Sequence, residues 1–190
     1  MESVEVLNGI GKGKDCLIIG SGNSVSDFDF DSVPEDIVRI GLNFLFVKTR
    51  IDYNIFSDST YSNFISLGCL NEKIDLIGFK NNIKSAGDRV DYFYDWGNVL
   101  PGGHVGFSAL QIAVKMDFDN IYLIGFDYNN DGDYLHYYAD HYISDFRKKV
   151  YTERYFESFL KDFDLIEWNN NIFNLNQTSR LKKFEFRENV

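Results

Sequence analysis

Cysteine and proline are almost missing from this 190-residue chain, with two of each. Cys16 and Cys69 form no CxxC pair and no ligand cluster, so no redox or zinc motif is encoded. Cys16 opens an apolar run and is expected to be a buried thiol in a reducing, cytoplasmic setting. No stretch approaches the roughly 18 consecutive apolar residues that a membrane span needs, and Met1 to Gly13 has no apolar core of the signal-peptide kind. Positive charge is also scarce: Lys and Arg number 19 against 29 Asp and Glu, a formal net charge of −10. That balance disfavours bulk attraction to nucleic acid or to an anionic membrane. Its local exception is the strip Arg180, Lys182, Lys183 and Arg187, expected to be a solvated face that can also meet a phosphate.

What the chain does have is apolar and aromatic mass. Hydrophobic residues make up 44% of it, and Phe and Tyr number 18 and 12, enough for one substantial core in a single domain spanning 1–190. Cys16-Leu17-Ile18-Ile19-Gly20 is an apolar run that stops at a glycine cluster, as a buried parallel strand does. Further strands are expected over 36–43, 51–56, 73–79, 120–125 and 171–175. Phe107, Leu110, Ala113 and Val114 share one helical face within 106–116, and Tyr155, Phe156, Phe159 and Phe163 mark a second helix within 151–163. Strands alternating with helices predict an α/β Rossmann-like domain with a mostly parallel central sheet.

Chemistry is expected beyond the carboxyl ends of those strands. Small residues at Gly20, Ser21 and Gly22, followed by Asn23 and Ser24, let a backbone approach a phosphate and offer N–H and hydroxyl donors, although an ordinary βα turn has the same composition. The loop is neither a complete GxGxxG nor a P-loop, so it specifies no particular nucleotide. Asn43 ends a strand on the same edge, with an amide suited to a base or ribose. Gly102-Gly103-His104-Val105-Gly106 precedes a helix and offers a second anion site or simply a flexible helix start. His104, His136 and His141 all fall in ligand-edge segments, and His141 is the preferred general base, with a structural or exposed histidine as the alternative. Asp131-Gly132-Asp133 has two carboxylates spaced to hold a divalent cation, and equally the composition of a turn.

The strand-loop at 16–24, Asn43, the glycine-led helix, Ile121-Tyr122-Leu123-Ile124-Gly125-Phe126-Asp127 and the later histidines together resemble the bacterial sialyltransferases of glycosyltransferase family 42. The same core is similar to the MptE-like hydroxymethylpterin diphosphokinases. The first resemblance implies a nucleotide sugar held by Gly20, Ser21, Gly22, Asn23, Ser24 and Asn43. Contacts from Gly103, His104, Val105 and Gly106 would add to these. Asn23 stands where that family carries proline, and His104-Val105-Gly106 where it carries Thr-Ser-Gly.

Its His-Tyr-Ile-Gly-His segment appears as His141-Tyr142-Ile143-Ser144-Asp145, which implies His141 or Asp145 as base. Tyrosines after the Gly-x-Asp strand end bind the leaving phosphate in that family, which here brings in Asp127, Tyr128, Tyr134, Tyr137 and Tyr138. The implied activity is metal-independent transfer of a sugar to a hydroxyl of a glycan or a hydroxylated DNA base. The diphosphokinase resemblance implies magnesium held by Asp127, Asp131 and Asp133. A noncatalytic nucleotide-binding domain is the third alternative.

Overall fold

In the computed structural model, which describes residues 1–43, 49–57, 74–83, 89–129 and 153–190, the apolar run after Asp15 is a strand buried at every position. Its side chains alternate between two faces. Cys16 and Ile18 enter a large core with Ile40, Ile55, Ile77 and Leu123, while Leu17 and Ile19 enter a smaller one with Val25, Val33, Ile37 and Tyr122. A strand covered on both sides has no use for polar residues, which explains why the run is continuous rather than alternating. Each such Ile or Leu contributes roughly 1.5–3 kcal/mol relative to exposure.

The described residues form one parallel sheet from β1 (Glu2–Ser3), β2 (Cys16–Ile19), β3 (Val38–Leu42), β4 (Tyr53–Phe56), β5 (Asp75–Phe79), β6 (Tyr92–Tyr94), β7 (Asn120–Ile124), β8 (Asn171–Asn174) and β9 (Glu185–Phe186). The order is β1-β6-β5-β4-β3-β2-β7-β8-β9. All carboxyl ends therefore lie along one edge. From β2 the chain proceeds to β3 on one side, and from β7 to β8 on the other, so the connections diverge between β2 and β7. That divergence is the position where open α/β sheets form a ligand crevice.

Helix α1 (Val105–Lys115) lies on the larger core and buries Gly106 through Ala113. Lys115 in its last turn suits the negative end of the helix, and Asp117, in the left-handed region at φ +66°, ends it. Helix α2 (Glu153–Asp162) buries Phe156, and the short helical turn that follows it buries Phe163. Both helices and the six core strands expected from periodicity are present. β3 and β4 begin two residues later than expected, because Ile37 N–H turns back to Pro34 O and Asp52 spends its carboxylate on Arg39 N–H. No helix among the described residues is long and apolar enough to cross a membrane.

Candidate functional site

The ends of β2 and β7 meet backbone to backbone. Gly20 N–H donates to Ile124 O (2.8 Å) and Gly22 N–H to Gly125 O (3.0 Å). A Cβ on Gly20 would lie 2.5 Å from the Gly125 carbonyl oxygen, and Gly125 has φ +76°, so the crossing requires glycine on both strands. Beyond it, Asp127 fastens the loop. Its carboxylate accepts Ser24 N–H (2.8 Å), Ser24 Oγ–H (2.5 Å) and Asn176 Nδ2–H (2.8 Å), while Ser24 Oγ accepts Gly125 N–H at 3.2 Å. Arg180 N–H donates to Asp127 O (3.0 Å), and Ser179 Oγ–H to the neighbouring Phe126 O (2.5 Å). Asp127 is only 5% exposed, and this buried junction ties the loops after β2, β7 and β8 together. The Ser24 N–H and hydroxyl that the sequence offers to a phosphate are held by this carboxylate. Ser21 and Asn23 remain half-buried beside it.

The neighbouring strand ends are arranged differently. Asn43, directly after β3, takes φ +51°, a left-handed conformation that asparagine tolerates better than most residues. Its N–H donates to Ile55 O (3.0 Å), and its carbonyl accepts Asn54 Nδ2–H (3.2 Å). The Oδ1 atoms of Asn43 and Asn54 are both buried and find no hydrogen-bond partner among the described residues. Buried amide oxygens are nearly always paired, and leaving one bare costs about 1–3 kcal/mol.

His104 caps α1. Its Nδ1 accepts Phe107 N–H (3.3 Å) and faces Tyr128 Oη at 3.4 Å, which assigns the neutral ring's proton to Nε2. The ring is packed against Phe159, Tyr128 and Phe163, with centroids 4.8, 5.4 and 5.4 Å away. Burial pushes its pKa down to about 4, only partly opposed by the Phe159 backbone. Burial pushes the Tyr128 hydroxyl well above its usual value, with Asp162 and Asp127 adding to the effect. Gly103 N–H donates to Asp162 Oδ2 (2.7 Å), which lies 4.0 Å from His104 Nε2. The carboxylate at this helix start is thus the protein's own. Val105 is half-buried, and Gly106 is buried where a Cβ would meet Phe126 and His104.

The unfolded chain takes up a proton on His104 near pH 6.5 while the folded chain does not until about pH 4. Its contribution to stability is therefore complete above pH 6.5 and is lost as pH falls toward 4. Urea unfolding of wild type and His104→Gln at pH 7 and pH 4.5 should show wild type losing about 2–3 kcal/mol more than the variant across that interval. Parallel losses in the two proteins would mean that His104 is not held neutral.

With this geometry established, known structures can be set beside it. The sialyltransferase CstII from Campylobacter jejuni in complex with the substrate analogue cytidine-5′-monophosphate aligns with a TM-score of 0.59 at 14% identity, covering 92% of this chain and 85% of that one. CstII in complex with a trisaccharide acceptor and CMP aligns at 0.58 and 14%, covering 91% and 85%. The monofunctional α-2,3-sialyltransferase Cst-I from Campylobacter jejuni aligns at 0.58 and 15%, covering 90% and 79%. The fold is that of these sialyltransferases. No protein-family profile matches the chain, and no curated protein sequence does.

Within the sialyltransferase fold, the predicted residues divide into three groups. Gly20, Ser21, Gly22, Asn23, Ser24, Asp127 and Tyr128 gather at the carboxyl ends of β2 and β7, and Asn43 ends the adjacent β3. Gly103, His104, Val105 and Gly106 begin α1, with His104 packed against Tyr128. Cys69, Asp131, Asp133, Tyr134, His136, Tyr137, Tyr138, His141 and Asp145 lie outside the described residues. Cys16 is buried as expected, and burial raises its thiol pKa well above the usual value.

Lys182, Lys183 and Arg187 of the basic strip are exposed, as expected of a solvated face, and the strip's side chains meet the protein's own groups. Arg180 pairs with Glu153 (2.5 Å), Lys183 with Asp164 (3.2 Å), Lys182 donates to Gln177 O (2.9 Å), and Arg187 lies over Phe173 at 3.6 Å. No group of three or more His, Cys, Asp or Glu among the described residues could hold a metal ion. Sequence reasoning missed Asn54, Asp162 and Asn176. Asn54 had a signal, being a polar residue inside the apolar strand Tyr53-Asn54-Ile55-Phe56.

Proposed function

We propose that this chain is a glycosyltransferase that moves a sugar from a nucleotide-sugar donor to a hydroxyl acceptor without a metal. The observation that carries the proposal is the pair of carboxamide oxygens, on Asn43 directly after β3 and on Asn54 within β4, that find no partner among the described residues, in a fold whose solved examples include CstII with CMP. The Gly20–Ser24 loop brings backbone close to the ligand, and His141, or Asp145 in its place, takes the proton from the attacking hydroxyl. In-line attack by the acceptor oxygen then forms the new C–O bond, inverts the sugar carbon and breaks its bond to the phosphate, which leaves on the nucleotide. A glycan is the favoured acceptor, since the net charge of −10 disfavours a hydroxylated base in DNA.

Thermal denaturation with CMP, UDP, GDP, ADP and ATP, each with and without magnesium, tests the donor. A ligand at 100 times its Kd stabilises the native state by about 2.7 kcal/mol, so CMP should raise the melting temperature by several degrees without magnesium. Stabilisation by UDP or GDP alone would change the donor. A magnesium-dependent shift with ATP would favour the diphosphokinase, and no shift with any nucleotide would overturn the proposal.

A further inference from the structure

We propose that Asn54 determines nucleotide specificity, with its Oδ1 and that of Asn43 forming a seat of two acceptors for a hydrogen-bond-donor group on the nucleoside. The inference rests on the proposed nucleotide-sugar function and assigns the part of the donor that this edge reads. Asn54 lies in β4 and is 3% exposed, between Tyr53 and the fully buried Ile55. Its Nδ2–H bond to the Asn43 carbonyl fixes the orientation of the amide, because a flip would set oxygen against oxygen. Oδ1 is then left as a buried, bare acceptor, and the Oδ1 of Asn43 is another. An apolar side chain in β4 would remove this cost together with the bond to the Asn43 carbonyl, and Oδ1 itself contributes only when something donates to it.

Location narrows what that ligand can be. On the β7 side of the Gly20–Ser24 loop, Asp127 already fills the N–H and hydroxyl donors of Ser24, and those contacts leave the acceptors on the β3 and β4 side unanswered. The nucleoside therefore lies over the ends of β3 and β4. Acceptors left bare among the described residues select a group that donates, either an exocyclic base amine or the ribose hydroxyls. A keto oxygen in the same place would face like partial charges, and sites built for hydrogen bonds reject such analogues strongly.

Calorimetric titration of the full chain with CMP, UMP and 2′,3′-dideoxy-CMP distinguishes these sources. Wild type should bind CMP about 10-fold or more tighter than one analogue; weak UMP identifies the amine, and weak dideoxy-CMP the ribose. Asn54→Val should bind all three within about 3-fold of one another, because it removes the acceptor that tells them apart. A residue with only a structural role would leave the ratio intact. If Asn54→Val fails to fold, Asn54→Ser makes the same comparison. Equal binding of the three nucleotides by wild type, or an unchanged ratio in the variant, overturns this inference and leaves the transferase proposal standing. No binding of any of them to wild type removes the CMP-donor form of that proposal and the inference together.

Discussion

Asp127→Ala should lose about 3–4 kcal/mol of stability, visible as a lower urea midpoint with an unchanged slope. The carboxylate accepts from Ser24 N–H, Ser24 Oγ–H and Asn176 Nδ2–H in a setting where it is 5% exposed. Hydrogen bonds to a charged group are worth about 1.5–3 kcal/mol each, and three that share one acceptor add up to less than their sum. Alanine leaves three donors without their partner at the junction of three loops. Asp127→Asn separates packing from chemistry. It keeps the volume but replaces one acceptor oxygen with an NH₂ that faces donors, so it should lose nearly as much as alanine. Ser24→Ala, which removes only the hydroxyl, should cost about 1–2 kcal/mol. A loss below 1 kcal/mol for Asp127→Ala would mean that the junction forms without its carboxylate.

The same junction shows where sequence reasoning reached its limit. Cys16–Ile19 and Asn120–Ile124 were legible as strands because burial on both faces leaves an unbroken apolar run, and α1 was legible from its helical spacing. The strands β1, β6 and β9 were not, because two or three residues form too little of a pattern to be told from loop. Gly20 marked a close backbone approach, but not that Gly125 is what it approaches.

Ser24 and Asp127 were expected to meet a ligand, and at the ends of β2 and β7 they meet each other. Their bond to each other spans 103 residues of chain, and no local pattern encodes such a partnership. His104 illustrates the same limit. Its place before α1 was legible, whereas its packing depends on Phe159 and Phe163 arriving from a helix nearly 60 residues later.

These contacts divide the strand-end edge by chemistry. Between β2 and β7 the protein satisfies its own donors with Asp127, and at the start of α1 it satisfies Gly103 N–H with Asp162. At β3 and β4 two amide oxygens, and at the start of α1 His104 Nε2, find no partner among the described residues. A rigid, self-satisfied junction beside an unsatisfied one is the arrangement expected of a binding site, since the first holds the second in position and the second retains its affinity for a ligand.

On the proposed mechanism, His141→Ala lowers turnover by about 10²–10⁴-fold while nucleotide affinity stays within about 3-fold of wild type, because a general base acts on the acceptor hydroxyl and not on the bound donor. The kcat/KM of wild type should rise with pH as the base loses its proton, and that limb should be absent from the residual activity of the variant. Asp145→Asn is the parallel arm. If His141→Ala retains turnover and Asp145→Asn loses it, the base is the aspartate. If both variants retain turnover, deprotonation by this segment is not part of catalysis. His104 is not a substitute in that case. Its ring is buried among Phe159, Tyr128 and Phe163 with a pKa near 4, and its Nδ1 is occupied by Phe107 N–H, so a base would have to come from elsewhere on the strand-end edge.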